Sequence, residues 1–600
     1  MDTHKFFSKR LEEYIAKKTK LDSKSELFSS MRFFSFLIGA VLTILVFMYY
    51  EKIYGYSILI TSLTLFAILV VRHDKVINKA NLYSNMVEIN EKYIFRMQDK
   101  WAEFRDAGEE YIDYSHPYAN DLDIFGHASV FQWMNVTNTY NGREQLRKLL
   151  ENPIKDIKSI RQRQDAVKEL ASKLDFCQGL QCEGMGTPKL TKNPEDILMF
   201  TEKEDKLFGN KGSRVMLYLL PFITVLSFAI WYFSKVIPFY IPFTLVLIQA
   251  IINLFSFRKV SNILETIYAY KNKVEVYQRL LETIEKEHFN DTYLSKVKSE
   301  LFNINESASK QIKRLDSIVG AVGFRYNPIV HLPLNTILFW DLHCVFALEK
   351  WKQISGASLR KWLNTVGVFE ALSCLALVSQ LNPSWEFAEF KENEVYFTAE
   401  DLGHPLINHT KRVTNNFTIN NEIGIITGSN MSGKTTLLRT VGVNLVLAYA
   451  GAPVCAKSLT CSIMDIFTSM RISDDLTSGI STFYSELLRI KMIIDFSRQE
   501  RLMIFLIDEV FRGTNSNDRI VGAKNVLMNL NERWIIGLIS THDFELCNAE
   551  EGSSGRVKNY NFIETYKDNL INFDYKIRPG RCTTTNAQFL MKIVGIDIKD

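Results

Sequence analysis

Residues 428–436 read Gly-Ser-Asn-Met-Ser-Gly-Lys-Thr-Thr, which satisfies the phosphate-binding pattern G-x-x-x-x-G-K-[ST]. The flanks dictate what must surround it. Glu422–Thr427 is a short apolar run of strand length, and Thr436 onward continues as helix. Strand, glycine loop and helix N-terminus together aim backbone N–H groups and a helix dipole at phosphate. A Gly-rich turn before an ordinary helix would leave the Lys434-Thr435 pair unexplained. The loop residues Gly428, Ser429, Asn430, Met431, Ser432, Gly433, Lys434, Thr435 and Thr436 are therefore candidates to hold ATP. Lys434 would reach the terminal phosphates, and Thr435 would hold Mg²⁺ through its hydroxyl.

The remaining parts of such a site follow in order. Leu502–Ile507 is apolar and ends in Asp508-Glu509, the expected form of a Walker B strand. Asp508 is placed on Mg²⁺, and Glu509 is the candidate base for the attacking water. Trp534–Thr541 is a further apolar strand ending at His542, a candidate contact for the γ-phosphate. A His at a strand end is usually structural, so its role leans on the other two motifs. Asp474–Glu486 precedes an amphipathic stretch, Leu487–Ile494. Ser481 and Thr482 are good N-cap residues there, and a capped helix N-terminus is another anion site. In ABC-type ATPases such a helix addresses the nucleotide of the partner subunit, which implies a dimer. The transporter form Leu-Ser-Gly-Gly-Gln is absent.

These motifs resemble the MutS family of ATP-dependent DNA mismatch-repair proteins. Gly428–Thr436 is similar to the family's P-loop, with Ser429 where Pro is usual. Asp474–Glu486 resembles its signature, and Asp508-Glu509-Val-Phe-Arg-Gly-Thr514 its Walker B and D-loop. Phe511 stands where Gly is typical, and Asn517-Asp518-Arg519 replaces the usual Asp-Gly. Ser540-Thr541-His542 and Tyr575–Gly580 also fit. Outside the ATPase, Phe131–Arg143 and Arg163-Gln164-Asp-Ala166-Val167 look like the opening of the family's helical core. The resemblance implies ATP and Mg²⁺ as ligands, a homodimer and a link to DNA. It also implies a separate N-terminal domain that wedges a Phe-x-Glu motif into a mispair, and the first 120 or so residues leave no room for one. Phe387-Ala-Glu389 spells that motif, but in the late helical core, where chance explains it better.

The second constraint is apolar sequence. Phe33–Tyr50 and Ile53–Val71 are charge-free runs separated by Glu51-Lys52. Val215–Ser234 and Val236–Phe257 form a second pair, separated by Lys235. Each run approaches the ~20 residues needed to cross a bilayer. Tight linkers make each pair a helical hairpin. Basic residues crowd the outer ends, from Lys5 to Arg32, Arg72 to Lys79, Lys203 to Arg214 and Arg258-Lys259, while the tips carry only Lys52 and Lys235. By the positive-inside rule both tips face out, and the core and ATPase face the cytoplasm. The expected location is the cytoplasmic membrane, crossed several times, with membrane lipid as a partner.

Composition agrees. Forty-one Phe and 12% aromatics are what membrane spans would supply, and a net charge of +4 demands no nucleic-acid partner. The eight Cys are scattered without zinc-site spacing, so reduced thiols are the default.

The expected fold is multidomain, an α-helical core with two transmembrane helical hairpins and a C-terminal α/β P-loop ATPase of ABC type. The segments are 1–32 basic N-terminal, 33–71 first hairpin, 72–214 connecting helices and first core part, 215–257 second hairpin, 258–390 lever and core helices, and 391–600 ATPase. Asn262–Val322 reads either as the family's long lever helix or as an ordinary amphipathic helix pair packed on the core. A DNA clamp between Glu287 and Ser307 would be vestigial. Two functions remain open: a membrane-anchored ATPase linked to DNA binding, mismatch repair or recombination, or an ATP-driven membrane switch or scaffold with no direct DNA role. An ABC transporter is a weaker third, with few spans and the wrong signature.

Overall fold

The computed structural model describes residues 3–185, 191–203, 211–302, 306–392, 394–471, 482–511, 515–551, 555–567 and 570–582. The chain forms two compact units, one of residues 1–135, 146–172 and 372–600, the other of residues 136–145 and 173–371. The units cut across the segments expected from sequence, because the first gathers the N-terminal helices together with the C-terminal sheet.

The first apolar pair is far longer than its charge-free runs. Helix α1 is Thr3–Tyr49 and α2 is Lys52–Met97. At 1.5 Å per residue each is about 70 Å long. Contacts march in opposite directions along the two, from Phe7 on Tyr93 (rings 4.8 Å apart) through Ser25 on His73 (2.9 Å) to Gly39 on Ser62 and Gly55 on Phe47. Gly39 is there because a Cβ would sit 1.7 Å from the Ser62 hydroxyl. The basic stretch up to Arg32 is thus not a separate segment but the first half of α1.

The second pair lies in the other unit. Helix α3 is Lys211–Ser234, with Pro221 inside it, and α4 is Tyr240–Tyr268. Phe228 meets Phe243 edge-on at 5.7 Å near the tip, where Lys235 takes φ +52°. Among the described residues five segments are long and apolar enough to cross a membrane, and burial separates them. The most apolar windows of α1, α2, α3 and α4 are only 11–22% buried, whereas that of Trp340–Leu381 is 83% buried. The fifth is core.

The rest of that second unit is helical. Asn262–Val322 is not one lever. The chain breaks after Tyr268, turns through Asn272 at φ +69°, and continues as Lys273–Lys286, Thr292–Ser299 and Ala308–Val322. Leu280, Leu281 and Ile284 on the first of these and Ile312, Leu315 and Val319 on the last are buried, the helix-pair alternative. Helices α5 (Pro328–Leu338) and α6 (Trp340–Ser355) follow, joined at Phe339 with φ +54°. The opening of the core is held here by Glu370. Its carboxylate accepts from the Asn138 N–H (2.8 Å) and from the Thr139 hydroxyl, capping helix Tyr140–Glu151. Gly142 gives it room, since a Cβ there would lie 2.2 Å from Glu370 Oε2. Complete burial pushes the Glu370 carboxyl up to about 7.

In the first unit six strands form one sheet: β1 Ile423–Thr427, β2 Asp465–Ser469, β3 Met503–Asp508, β4 Ile535–Thr541, β5 Val557–Lys567 and β6 Leu570–Pro579. Their order is β6-β5-β1-β4-β3-β2, parallel except for the β5/β6 edge pair. Every residue of β1, β3 and β4 is buried, which is why these strands read as continuous apolar runs rather than alternating ones. Helix α7 (Lys434–Ala450) follows β1, α8 (Thr482–Ser497) follows β2, and α9 (Ser516–Leu530) follows β3. A smaller sheet of Glu389–Lys391, Ser458–Ser462, Tyr396–Leu402 and Asn415–Asn420 lies beside it in sequence. Phe387 belongs to a two-residue strand paired with Pro453-Val454.

Candidate functional site

The neighbouring central strands β1, β4 and β3 end together, and their C-terminal ends deliver the candidate residues. The parallel register pairs Thr427 with Thr541, and Ser540 with Asp508. A parallel sheet therefore brings three motifs, spread over more than 100 residues of the chain, to one edge.

The loop after β1 needs its glycines. Gly433 takes φ +107°, and a Cβ on it would press the Tyr575 ring at 3.3 Å. Lys434 is buried and folds its ammonium onto the loop, donating to the carbonyls of Gly428 (2.8 Å) and Ser429 (2.9 Å). Ser432 Oγ is buried with no hydrogen-bond partner among the described residues. An orphaned donor in a loop at a helix N-terminus, beside a buried cation, fits an anionic ligand. Asn430, Met431 and Thr436 are exposed.

Thr435 Oγ1 donates to Asp508 Oδ2 at 2.8 Å, and the Ser540 hydroxyl donates to the other Asp508 oxygen. One hydroxyl and one carboxylate, already in contact, are a suitable hard-oxygen pair for Mg²⁺. Glu509 takes φ +55° and places Oε1 2.9 Å from His542 Nε2, while the same nitrogen lies 3.4 Å from Lys434 Nζ. Lys434, Thr435, Asp508, Glu509 and His542 thus lie together at this edge. Ser481 lies outside the described residues, as does most of Asp474–Glu486, and Thr482 is the first residue of α8.

Several contacts that hold the site cannot be read from the motifs alone. Glu486 is buried and accepts from the Phe511 N–H, so α8 grips the chain immediately after the two carboxylates. Phe511, at φ +61°, fits where a smaller residue is typical because Gly522 leaves space. A Cβ on Gly522 would lie 2.5 Å from the Phe511 ring. Arg519 donates twice to Asp543 (2.6 and 2.8 Å), tying α9 to the residue after His542 and raising the guanidinium pKa. Ser429 Oγ donates to the buried Glu564 on β5 at 3.0 Å, a contact that a proline could not make. Asp121 accepts from Thr468 Oγ1 and the N–H groups of Met470 and Arg471, and Asp123 pairs with Arg439 of α7 (2.9 Å) and Arg471 (2.6 Å). Burial lowers the Arg439 pKa, and Asp123 opposes that shift. At the far end of α7, Arg163 donates to the carbonyls of Tyr449 (2.8 Å) and Ala450 (3.0 Å), orphan acceptors of a helix C-terminus. Gln164 donates to the Ala388 carbonyl at 2.9 Å, and Ala166 and Val167 are fully buried.

The MutS domain V family model matches residues 424–596, the region that carries this site. Over those residues the chain is similar to domain V of the MutS family. Among curated relatives, a DNA mismatch repair protein MutS of Aquifex pyrophilus is 28% identical over 78% of this chain and 58% of its own length. DNA mismatch repair protein MutS 2 of Halobacterium salinarum is 33% identical over 32% of this chain and 23% of its own length. A MutS of Halothermothrix orenii is 35% identical over 29% and 20%, respectively. The chain thus spans 58% of the first of these relatives and about a fifth of the other two. The Aquifex match extends well beyond domain V, into the helical parts of the chain.

Proposed function

We propose that this chain is a membrane-anchored MutS-like ATPase that binds and hydrolyses ATP as a dimer and acts on DNA or beside a DNA-repair partner. The observation that carries the chemistry is the convergence of Lys434, Thr435-Asp508 and Glu509-His542 at one sheet edge. The loop 428–436 wraps the phosphates of ATP with backbone N–H groups, and the Ser432 hydroxyl supplies a further donor. Thr435 and Asp508 would hold Mg²⁺, which when bound offsets phosphate charge. Glu509 accepts a proton from water as the water oxygen attacks the γ-phosphorus. The bond from that phosphorus to the bridging oxygen of ADP breaks, leaving ADP and inorganic phosphate. His542 holds the Glu509 carboxylate in place and faces the γ-phosphate with Lys434. Thr482, the first residue of α8, and Ser481 before it in sequence would complete the site of the partner subunit.

Anchoring is supported by α1 to α4, whose apolar windows are barely buried. With both tips outside, the sheet and its site face the cytoplasm, where ATP is. The link to DNA is supported by the names of the relatives. One observation favours the alternative of an ATP-driven membrane switch without a DNA role. Between Glu287 and Ser307 the described residues form a short helix and a single bridge, Phe302 to Ser307, with no inserted strands that could clamp a duplex.

Glu509→Gln tests the chemistry. The variant binds ATP as the parent does, and turnover falls roughly 100-fold or more, the usual contribution of a positioned base. Lys434→Ala instead loses nucleotide binding. Equal turnover in parent and Glu509→Gln would remove Glu509 as the base. Binding to duplex, branched and mismatched DNA across a salt series separates the DNA reading from the switch reading.

A further inference from the structure

We propose that α5, Pro328–Leu338, is an additional membrane contact, lying in the headgroup layer of an anionic leaflet against α4. This rests on the reading of α3 and α4 as spans. The helix is built the wrong way round for water. It carries no Asp, Glu, Lys or Arg, and no residue of it is fully buried. Its polar groups are spent inward. Asn335 accepts from the Asp341 N–H through its side chain (3.0 Å) and from Asn253 Nδ2 through its carbonyl (2.7 Å). His331 Nε2 lies 3.0 Å from the buried Asp341 carboxylate, whose other oxygen pairs with Arg325. Arg325 also donates to Ser261 Oγ at 2.8 Å and stacks over Phe257. What faces out is apolar: Ile329 is 87% and Leu332 71% exposed.

The contact with Asn253 sets the depth. Asn253 lies five residues inside the end of the span marked by Arg258, about 7.5 Å along the helix axis. Interfacial helices bury their apolar face ~5–10 Å into the headgroup and acyl boundary. On α4, hydrogen-bonded to α5 through Asn253, Leu254 and Phe255 are also exposed. Charge sits where lipid phosphate would be. A groove of ≈ 530 Å³ is lined by Met216, Leu217, Phe255 and Phe339 together with Arg258 and Lys259. Among the described residues, neither cation makes a hydrogen bond or ion pair with a carboxylate. The occupant is an anionic phospholipid of the bilayer, with acyl chain along the groove and phosphate at the two cations.

The test uses the full chain in lipid nanodiscs, labelled with an environment-sensitive fluorophore at Leu332→Cys, Ile329→Cys or Phe255→Cys. All eight native cysteines are buried. Lipids brominated on the acyl chain should quench positions 332 and 329 as well as position 255, and iodide in the buffer should not. Quenching at 332 and 329 should be stronger in discs with phosphatidylglycerol than in neutral discs, and Arg258→Gln with Lys259→Gln should abolish that difference. Quenching by bromolipid at 255 but by iodide at 332 and 329 would overturn the proposal while leaving the spans intact. A protein docking face would give that result. Quenching by iodide at all three positions would overturn the spans themselves. Equal quenching in neutral and anionic discs would overturn the assignment of Arg258 and Lys259.

Discussion

The sheet edge around Lys434 and the apolar hairpins α1/α2 and α3/α4 are opposite solutions to burying what water would reject. At the sheet edge, charged and polar side chains are taken out of water, and nearly each has a named partner. The Asp508 carboxylate has two hydroxyl donors, Lys434 has two carbonyls, and Phe511 N–H has Glu486. Along the hairpins the reverse holds: apolar side chains stand exposed, with Phe33 63% and Phe255 87% accessible. The first region satisfies most of its polar groups from within the chain, whereas the second leaves its apolar groups uncovered, as the proposed bilayer contact requires. The difference teaches that one chain can be read for function twice, by where polar groups are satisfied and by where apolar groups are not.

The sharpest way to break that comparison is topology, where the expected effect is all or none. Cysteines placed at Tyr54 and Lys235, near the two tips, should react with an impermeant thiol reagent in intact cells. A cysteine at Asn141 should react only after lysis. Labelling at 141 in intact cells would invert the orientation, and the sheet edge would then face away from ATP.

Next in size is the shared site. Lys434→Ala and Ser481→Arg subunits should each be inactive alone, and their mixture should recover activity from one intact composite site per heterodimer. A mixture that stays inactive while both variants still pair would show that the head of α8 does not serve a neighbour.

Two smaller effects sharpen the account of polar burial. Glu370 has a folded pKa of about 7 against 4.5 for the free group. The folded state therefore holds a proton that the unfolded state has released between these values. The stabilisation is fully present below pH 4.5 and is lost as pH rises through about 7. Its full span is about 3 kcal/mol, at 1.36 kcal/mol per unit. Melting of the detergent-solubilised protein between pH 5 and 8 should show this slope, and Glu370→Gln should flatten it. Arg163→Ala should cost about 2 kcal/mol by exposing the α7 carbonyls it satisfies, read as a lower melting temperature with unchanged nucleotide affinity.

How much was legible in sequence follows the range of the interactions. The loop 428–436, the strand before Asp508-Glu509 and the apolar pairs announce themselves because each depends on a few adjacent residues. The boundaries of β1, β3 and β4 fall within a residue of the apolar runs for the same reason. The Asp121 and Asp123 clamp on Arg439 and Arg471 could not be read, because its partners lie more than 300 residues apart and each is an unremarkable charge by itself. Phe511 looked like a departure from the family, and only its contact with Gly522 shows the compensation. The alternative of one lever helix through 262–322 failed on Asn272, whose left-handed turn leaves the amphipathic spacing on either side intact. Helix α5 does not stand out in sequence, because eleven uncharged, mostly apolar residues are too few for a span and are also common in cores.

The central claim joins the two regions, an ATP-hydrolysing sheet edge carried by a chain that stays in the bilayer. ATP hydrolysis by carbonate-washed membranes from cells expressing the parent or Glu509→Gln measures both at once. The account predicts Mg²⁺-dependent hydrolysis that remains in the membrane pellet with the parent chain and falls roughly 100-fold or more with Glu509→Gln. Parent protein released into the carbonate wash, or pellet hydrolysis equal in the two, would contradict it.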